Sequence, residues 1–215
     1  MQEKQLEEKL AKQMLQEGYE RNPGPWTVHS ETVAQVAKRL AKALGLEEQK
    51  AYIYGLIHDI GRREGRTGVR HIIDGYYYLN NLGYAEEARY CLTHSYFVKD
   101  VYSTLGEGTL TKQEVQFIQQ FLENTEYTLY DKIIQIADGM ALPGKITMIE
   151  RRLIDVYLRY GIRDGRNEIT RLKAVLKLQQ EIEELLGCSI YQLFPEVLED
   201  IQTQKVGQIY SGLGE

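Results

Sequence analysis

Residues 51–61 read Ala51-Tyr52-Ile53-Tyr54-Gly55-Leu56-Ile57-His58-Asp59-Ile60-Gly61, an apolar run closing on an adjacent imidazole and carboxylate. A run this apolar belongs in a core, and burying a charge there is costly unless the charge is paired or bound to a metal. The His58-Asp59 doublet therefore needs a partner. Three other segments each bring one histidine or aspartate to a similar setting, namely His29, His94 and Asp138, and His71 lies in a more polar stretch. The expectation is a metal-centred site inside a helical domain.

Working outward, the flanking sequence is helical in pattern. Leu6, Leu10, Ala11, Met14 and Leu15 recur at helical spacing before Gly18, and Asn22-Pro23-Gly24-Pro25 is a strong break. Thr27 is expected to cap a second helix running to about Leu44, with Val33, Val36, Ala37, Leu40 and Leu44 as its apolar stripe and His29 in its first turn. The decisive segment itself reads as a helix from Glu47 to about Ile60, apolar almost all round near its end and hence central. Gly61 to Arg70 reads as a loop carrying Arg62, Arg63, Arg66 and Arg70, and helices are expected over His71–Leu82 and about Ala85–Ser95.

Thr111 with Glu114 forms a capping-box pattern, and Thr128 with Asp131 repeats that start signal before Ile133, Ile136, Ala137 and Met140. Asp138 thus rides a mostly apolar helix. Further helices are expected over about Thr147–Tyr160, Asn167–Leu186 and Pro195–Gln202, with no alternating strand pattern of convincing length. The class is all-α. The expected division is a covering helix over 1–22, a metal-binding core over 23–142 and a helical extension over 143–215 packed on it.

A chain of 215 residues can bury a full core. Its net charge of −5 argues against a general nucleic-acid binder, which usually carries a basic excess. No stretch approaches the ~18 uninterrupted apolar residues of a membrane helix, and the charged start MQEKQLEEKLAKQ is unlike a signal peptide. The two cysteines, Cys91 and Cys188, form no CxxC and are expected as free thiols. A cytoplasmic protein without membrane contact is expected, with homo-oligomerisation left open.

The order H…HD…D, carried by TVHSETVAQVA, GLIHDIG and IIQIADGM, resembles the HD-domain superfamily of metal-dependent phosphohydrolases. HIIDG at His71 and CLTHS at His94 resemble the added histidines of the subset that binds two metals. The resemblance spans about Thr27 to Ala141 and implies an HD-domain helical bundle with additional C-terminal helices. Carried over to this sequence, it implies that His29, His58, Asp59 and Asp138 hold one metal. Asp59 would bridge to a second metal held by His71 and His94.

One or two divalent ions are implied, of the Fe, Mn, Co, Ni or Zn type that suits imidazole and carboxylate together. The implied reaction is hydrolysis of a small nucleotide or other phosphoester by a metal-activated water. His58, Asp59 and Arg62 would serve the chemistry, and Arg62, Arg63, Arg66, Arg70 and Lys99 would take up phosphate charge. Arg62 stands where many relatives have Lys after HDxG.

The chain lacks the HHE…GYP signature of cyclic-di-GMP phosphodiesterases and is too short for the large deoxynucleotide triphosphohydrolases. The pattern resembles that of the small two-metal dinucleoside-polyphosphate hydrolases of bacteria. Two other readings share the ligand pattern, a di-iron oxygenase of HD type and a non-catalytic nucleotide-binding module.

Overall fold

The computed structural model describes residues 4–65, 68–104, 110–162 and 165–203. These described residues are all-α apart from one minimal hairpin. The helices are α1 (Glu8–Arg21), α2 (Trp26–Ala43), α3 (Glu48–Ile57), α4 (His71–Asn81), α5 (Ala85–Thr93), α6 (Lys112–Asn124), α7 (Leu129–Gly139), α8 (Ile149–Tyr160), α9 (Arg166–Leu186) and α10 (Pro195–Thr203). The hairpin pairs β1 (Ala141–Leu142) with β2 (Lys145–Ile146) around Pro143-Gly144.

Helices α2 and α3 form the centre of the core. Ala34, Val33, Leu56 and Ile57 are wholly buried between them. Their approach is set by Gly55, where a Cβ would lie 2.5 Å from the Ala34 Cα. Only a residue without a side chain fits there. Gly61 does the same for α4, since a Cβ at that position would lie 2.0 Å from the His71 carbonyl oxygen. These two glycines bring the elements carrying His29, His58, Asp59 and His71 within reach of one another.

Both expected capping boxes are present. The Thr111 hydroxyl accepts from the Glu114 backbone N–H and the Glu114 carboxylate accepts from that of Thr111, with Thr128 and Asp131 matching them at α7. Two local expectations differ from the structure. Thr27 does not cap α2: the helix starts at Trp26 behind Pro25, and Thr27 lies inside it. Pro25 adopts a helical backbone and takes the capping position, which moves the start two residues earlier without a side-chain cap. Residues 61–70 are also not a plain loop, because the 3₁₀ turns Ile60–Glu64 and Gly68–Arg70 lead from α3 into α4.

The C-terminal helices share the core of the rest. Val175, Ile182, Ile190, Phe194 and Val197 belong to the same apolar cluster as Leu6, Val36 and Ile57. Polar ties reinforce this docking: Arg39 of α2 pairs with Glu196 of α10, and Lys132 of α7 meets Glu181 of α9 at 2.9 Å. No helix among the described residues is long and apolar enough to cross a membrane.

Candidate metal centre

Helix α3 stops at Ile57, so His58 and Asp59 emerge at its C-terminal end and turn into the 3₁₀ segment. His58 Nδ1–H donates to the Gly55 carbonyl at 2.7 Å. His71 and His94 are held in the same way, by the carbonyls of Gly68 at 2.6 Å and Tyr90 at 3.0 Å. A carbonyl can only accept, so each Nδ1 carries a proton, and in the neutral ring each Nε2 presents a lone pair. All three Nε2 atoms face the Asp59 carboxylate, at 3.9 Å for His58, 3.0 Å for His71 and 3.6 Å for His94.

His29, in the first turn of α2, points its Nε2 at Asp138 Oδ1 across 3.0 Å. Its ring lies 5.5 Å from that of His58, which in turn lies 4.9 Å from His94. Among the described residues, two groups could each hold a metal ion: His29, His58 and Asp138, and His58, Asp59 and His94, with ligand atoms in each group all within 4.8 Å. His58 is common to both. His71 reaches the second group through Asp59.

The atoms fit a cation. His58 Nε2 and Asp59 Oδ1 are buried without a hydrogen-bond partner, and acceptors that face acceptors in a core need a positive charge between them. Protonation states agree. Burial alone would raise the Asp59 carboxyl, but the Arg62 guanidinium beside it outweighs burial and helps hold it well below the usual carboxylate range. Burial likewise opposes ionisation of Asp138, and the His29 hydrogen bond with the Arg152 charge outweighs it. Burial pushes His94 down to about 3, with His58 beside it acting in the same direction. Burial also lowers His29. Neutral imidazoles and ionised carboxylates are the forms that bind metal.

The cluster opens into a cavity of about 750 Å³. Arg62 lines it and donates Nε–H to Asp59 Oδ2 at 2.5 Å. The other expected phosphate contacts are placed elsewhere. Arg63 stacks over the Tyr78 ring at 4.0 Å, and Arg70 pairs with Glu114 at 3.0 Å and Asp74 at 3.3 Å. Lys99 donates to the Thr125 carbonyl at 2.7 Å. None of these three is among the lining residues. Arg66 lies outside the described residues.

In their place the cavity holds Arg152, Asp155 and Arg159 of α8 and Arg171 of α9, which sequence reasoning missed. The i, i+3, i+4, i+7 spacing of Arg152, Asp155, Val156 and Arg159 was visible as one helix face. What that face would meet was not.

A family model described as HD domain matches residues 27–141, over half of the chain. No curated protein and no solved structure matches it.

Proposed function

The chain belongs to the HD-domain family, and on that premise we propose that it is a metal-dependent phosphohydrolase acting on a small nucleotide or another phosphoester. The observation that carries this reading is the convergence of three Nε2 lone pairs on one buried carboxylate at the floor of an arginine-lined cavity. His29, His58, Asp59 and Asp138 would hold one divalent ion, with Asp59, His71 and His94 holding a second. A metal bound there supplies a water activated as nucleophile near neutral pH and a counter-charge for the phosphoryl group.

The protein groups then have separable tasks. The carbonyls of Gly55, Gly68 and Tyr90 fix the three imidazoles in the ligating tautomer, which is the usual work of groups behind metal ligands. Arg62 steadies Asp59 and presents charge to the cavity. We further propose that 23–142 forms the metal-binding core, that 1–22 covers it, and that 143–215 is an extension contributing one wall of the cavity.

The test is elemental analysis of purified protein, then a screen of nucleotides and phosphoesters with the metal found, with and without oxygen. Phosphate or nucleotide release that persists anaerobically is expected. Oxygen uptake with iron and no phosphate release would establish the oxygenase chemistry instead. Nucleotide binding without turnover on any metal would identify a silent module.

A further inference from the structure

We propose that Arg152 and Arg171 form an anion subsite beside the metal centre, so that the substrate carries a second phosphate besides the one under attack. The inference rests on the phosphohydrolase reading for the identity of the first anion only.

Both arginines come from beyond residue 141, outside the stretch matched by the family model. Arg152 donates from Nη1 to Asp155 at 2.8 Å, and its Nη2 lies 3.8 Å from Asp138 Oδ1. Arg171 reaches back from α9, donates from Nη1 to the Ser95 carbonyl at 3.1 Å, and rests on the Phe97 ring at 5.1 Å. Each guanidinium keeps its Nε–H buried and without a partner. Both side chains line the one cavity.

Structural ties alone do not account for this. The bond to Ser95 would anchor α9, and the pair with Asp155 would order α8, yet each leaves a buried donor unmet, which is costly. Two like charges facing the same space add repulsion, and burial together with the Arg152 charge weakens proton binding at Arg171. An oxyanion relieves both costs. Phosphate suits the site because its several oxygens can accept from two planar forks at once. Asp155, bound to Arg152 and also to Arg159 at 2.7 Å, acts as the counter-ion that an incoming anion displaces. A substrate with two phosphates would then span from the metal cluster to the wall made by α8 and α9.

Calorimetric titration of the metal-loaded protein with inorganic pyrophosphate and with orthophosphate tests the inference, with metal content measured in parallel. Arg171→Met is expected to weaken pyrophosphate at least about tenfold and orthophosphate less than about threefold, as for loss of a charge-assisted fork. Equal weakening of the two anions, or none, overturns the subsite. Should Arg171→Met fail to fold, Arg171→Lys keeps the charge and loses the fork, and is expected to show the same selective loss. Asp155→Asn is expected to tighten pyrophosphate, and weaker binding would count against the proposal. Phosphoester hydrolysis with no Arg171-dependent preference sinks the subsite and leaves the hydrolase reading standing. Arg171-dependent pyrophosphate binding with no turnover of any phosphoester does the reverse.

Discussion

His71 Nε2 stands 3.0 Å from Asp59 Oδ1, while the Nδ1 of the same ring is committed to the Gly68 carbonyl. The backbone therefore holds the proton on Nδ1, and the neutral ring offers a lone pair to an oxygen that has only lone pairs to offer in return. Such a pairing inside a protein is stable with a cation between the two atoms. His58 and His94 repeat the arrangement on the same carboxylate, so Asp59 is the point on which the metal reading turns.

Replacement Asp59→Asn keeps the shape and removes the charge. Metal content is expected to fall, and phosphate release by more than about 100-fold, since even groups behind metal ligands are worth 10–100-fold. A chelator should lower the melting temperature of the native protein and leave that of the variant nearly unchanged, because only a bound ion adds stability by mass action. Elemental analysis and a thermal scan with and without chelator read this out. Full metal content with native turnover would contradict the bridge.

Gly61→Ala acts at a distance from the metal. The new Cβ would lie 2.0 Å from the His71 carbonyl oxygen and 2.4 Å from the Gly75 amide nitrogen, so α4 must move away. A stability loss of at least about 1–3 kcal/mol is expected, the usual range for overpacking. Because His71 opens α4, the metal stoichiometry should drop with it. Denaturant titration and metal analysis of the refolded variant check both parts.

Arg89→Met tests the tie between α5 and α7. The Asp131 carboxylate is wholly buried and accepts from Arg89 Nε at 3.0 Å, Thr93 Oγ1 at 2.8 Å and the Thr128 N–H at 2.7 Å. Removing the guanidinium leaves a buried charge with neutral donors alone. A destabilisation of about 3 kcal/mol is expected, the low end for breaking a buried pair, since both threonines still donate. A denaturation midpoint equal to that of the native protein would refute it.

The two thiols should react at different rates. Cys91 is wholly buried, and burial, with the Asp59 charge adding to it, pushes its thiol well above the ordinary range. Cys188 is part-exposed, and both thiols are free. A thiol reagent at neutral pH is expected to modify one cysteine quickly and the second only after denaturant is added. Two fast thiols in the native protein would contradict the placement of Cys91.

Much of the architecture was legible in the chain because its causes are local. Capping at Thr111 and Thr128 is settled within three residues, and the stripe from Val33 to Leu40 needs only the helical period. The order His29, His58-Asp59, Asp138 was readable too, because charged or imidazole groups set in apolar runs ask for partners. Thr27 shows the limit even of local reasoning, since its capping ability was real and Pro25 pre-empted it by adopting a helical backbone.

What the sequence by itself determined was the set of helices and the shortlist of groups that cannot be buried alone. Tertiary structure decided which cations share the cavity. Arg63 and Arg70 stand close to Asp59 in the chain but find Tyr78, Asp74 and Glu114, whereas Arg152 and Arg171 come from far along the chain to line the wall. The physical reason is that helical periodicity specifies a face and never its neighbour. The neighbour depends on close approaches such as Gly55 on Ala34 and on the burial of Val175, Ile182 and Phe194 that docks the last helices.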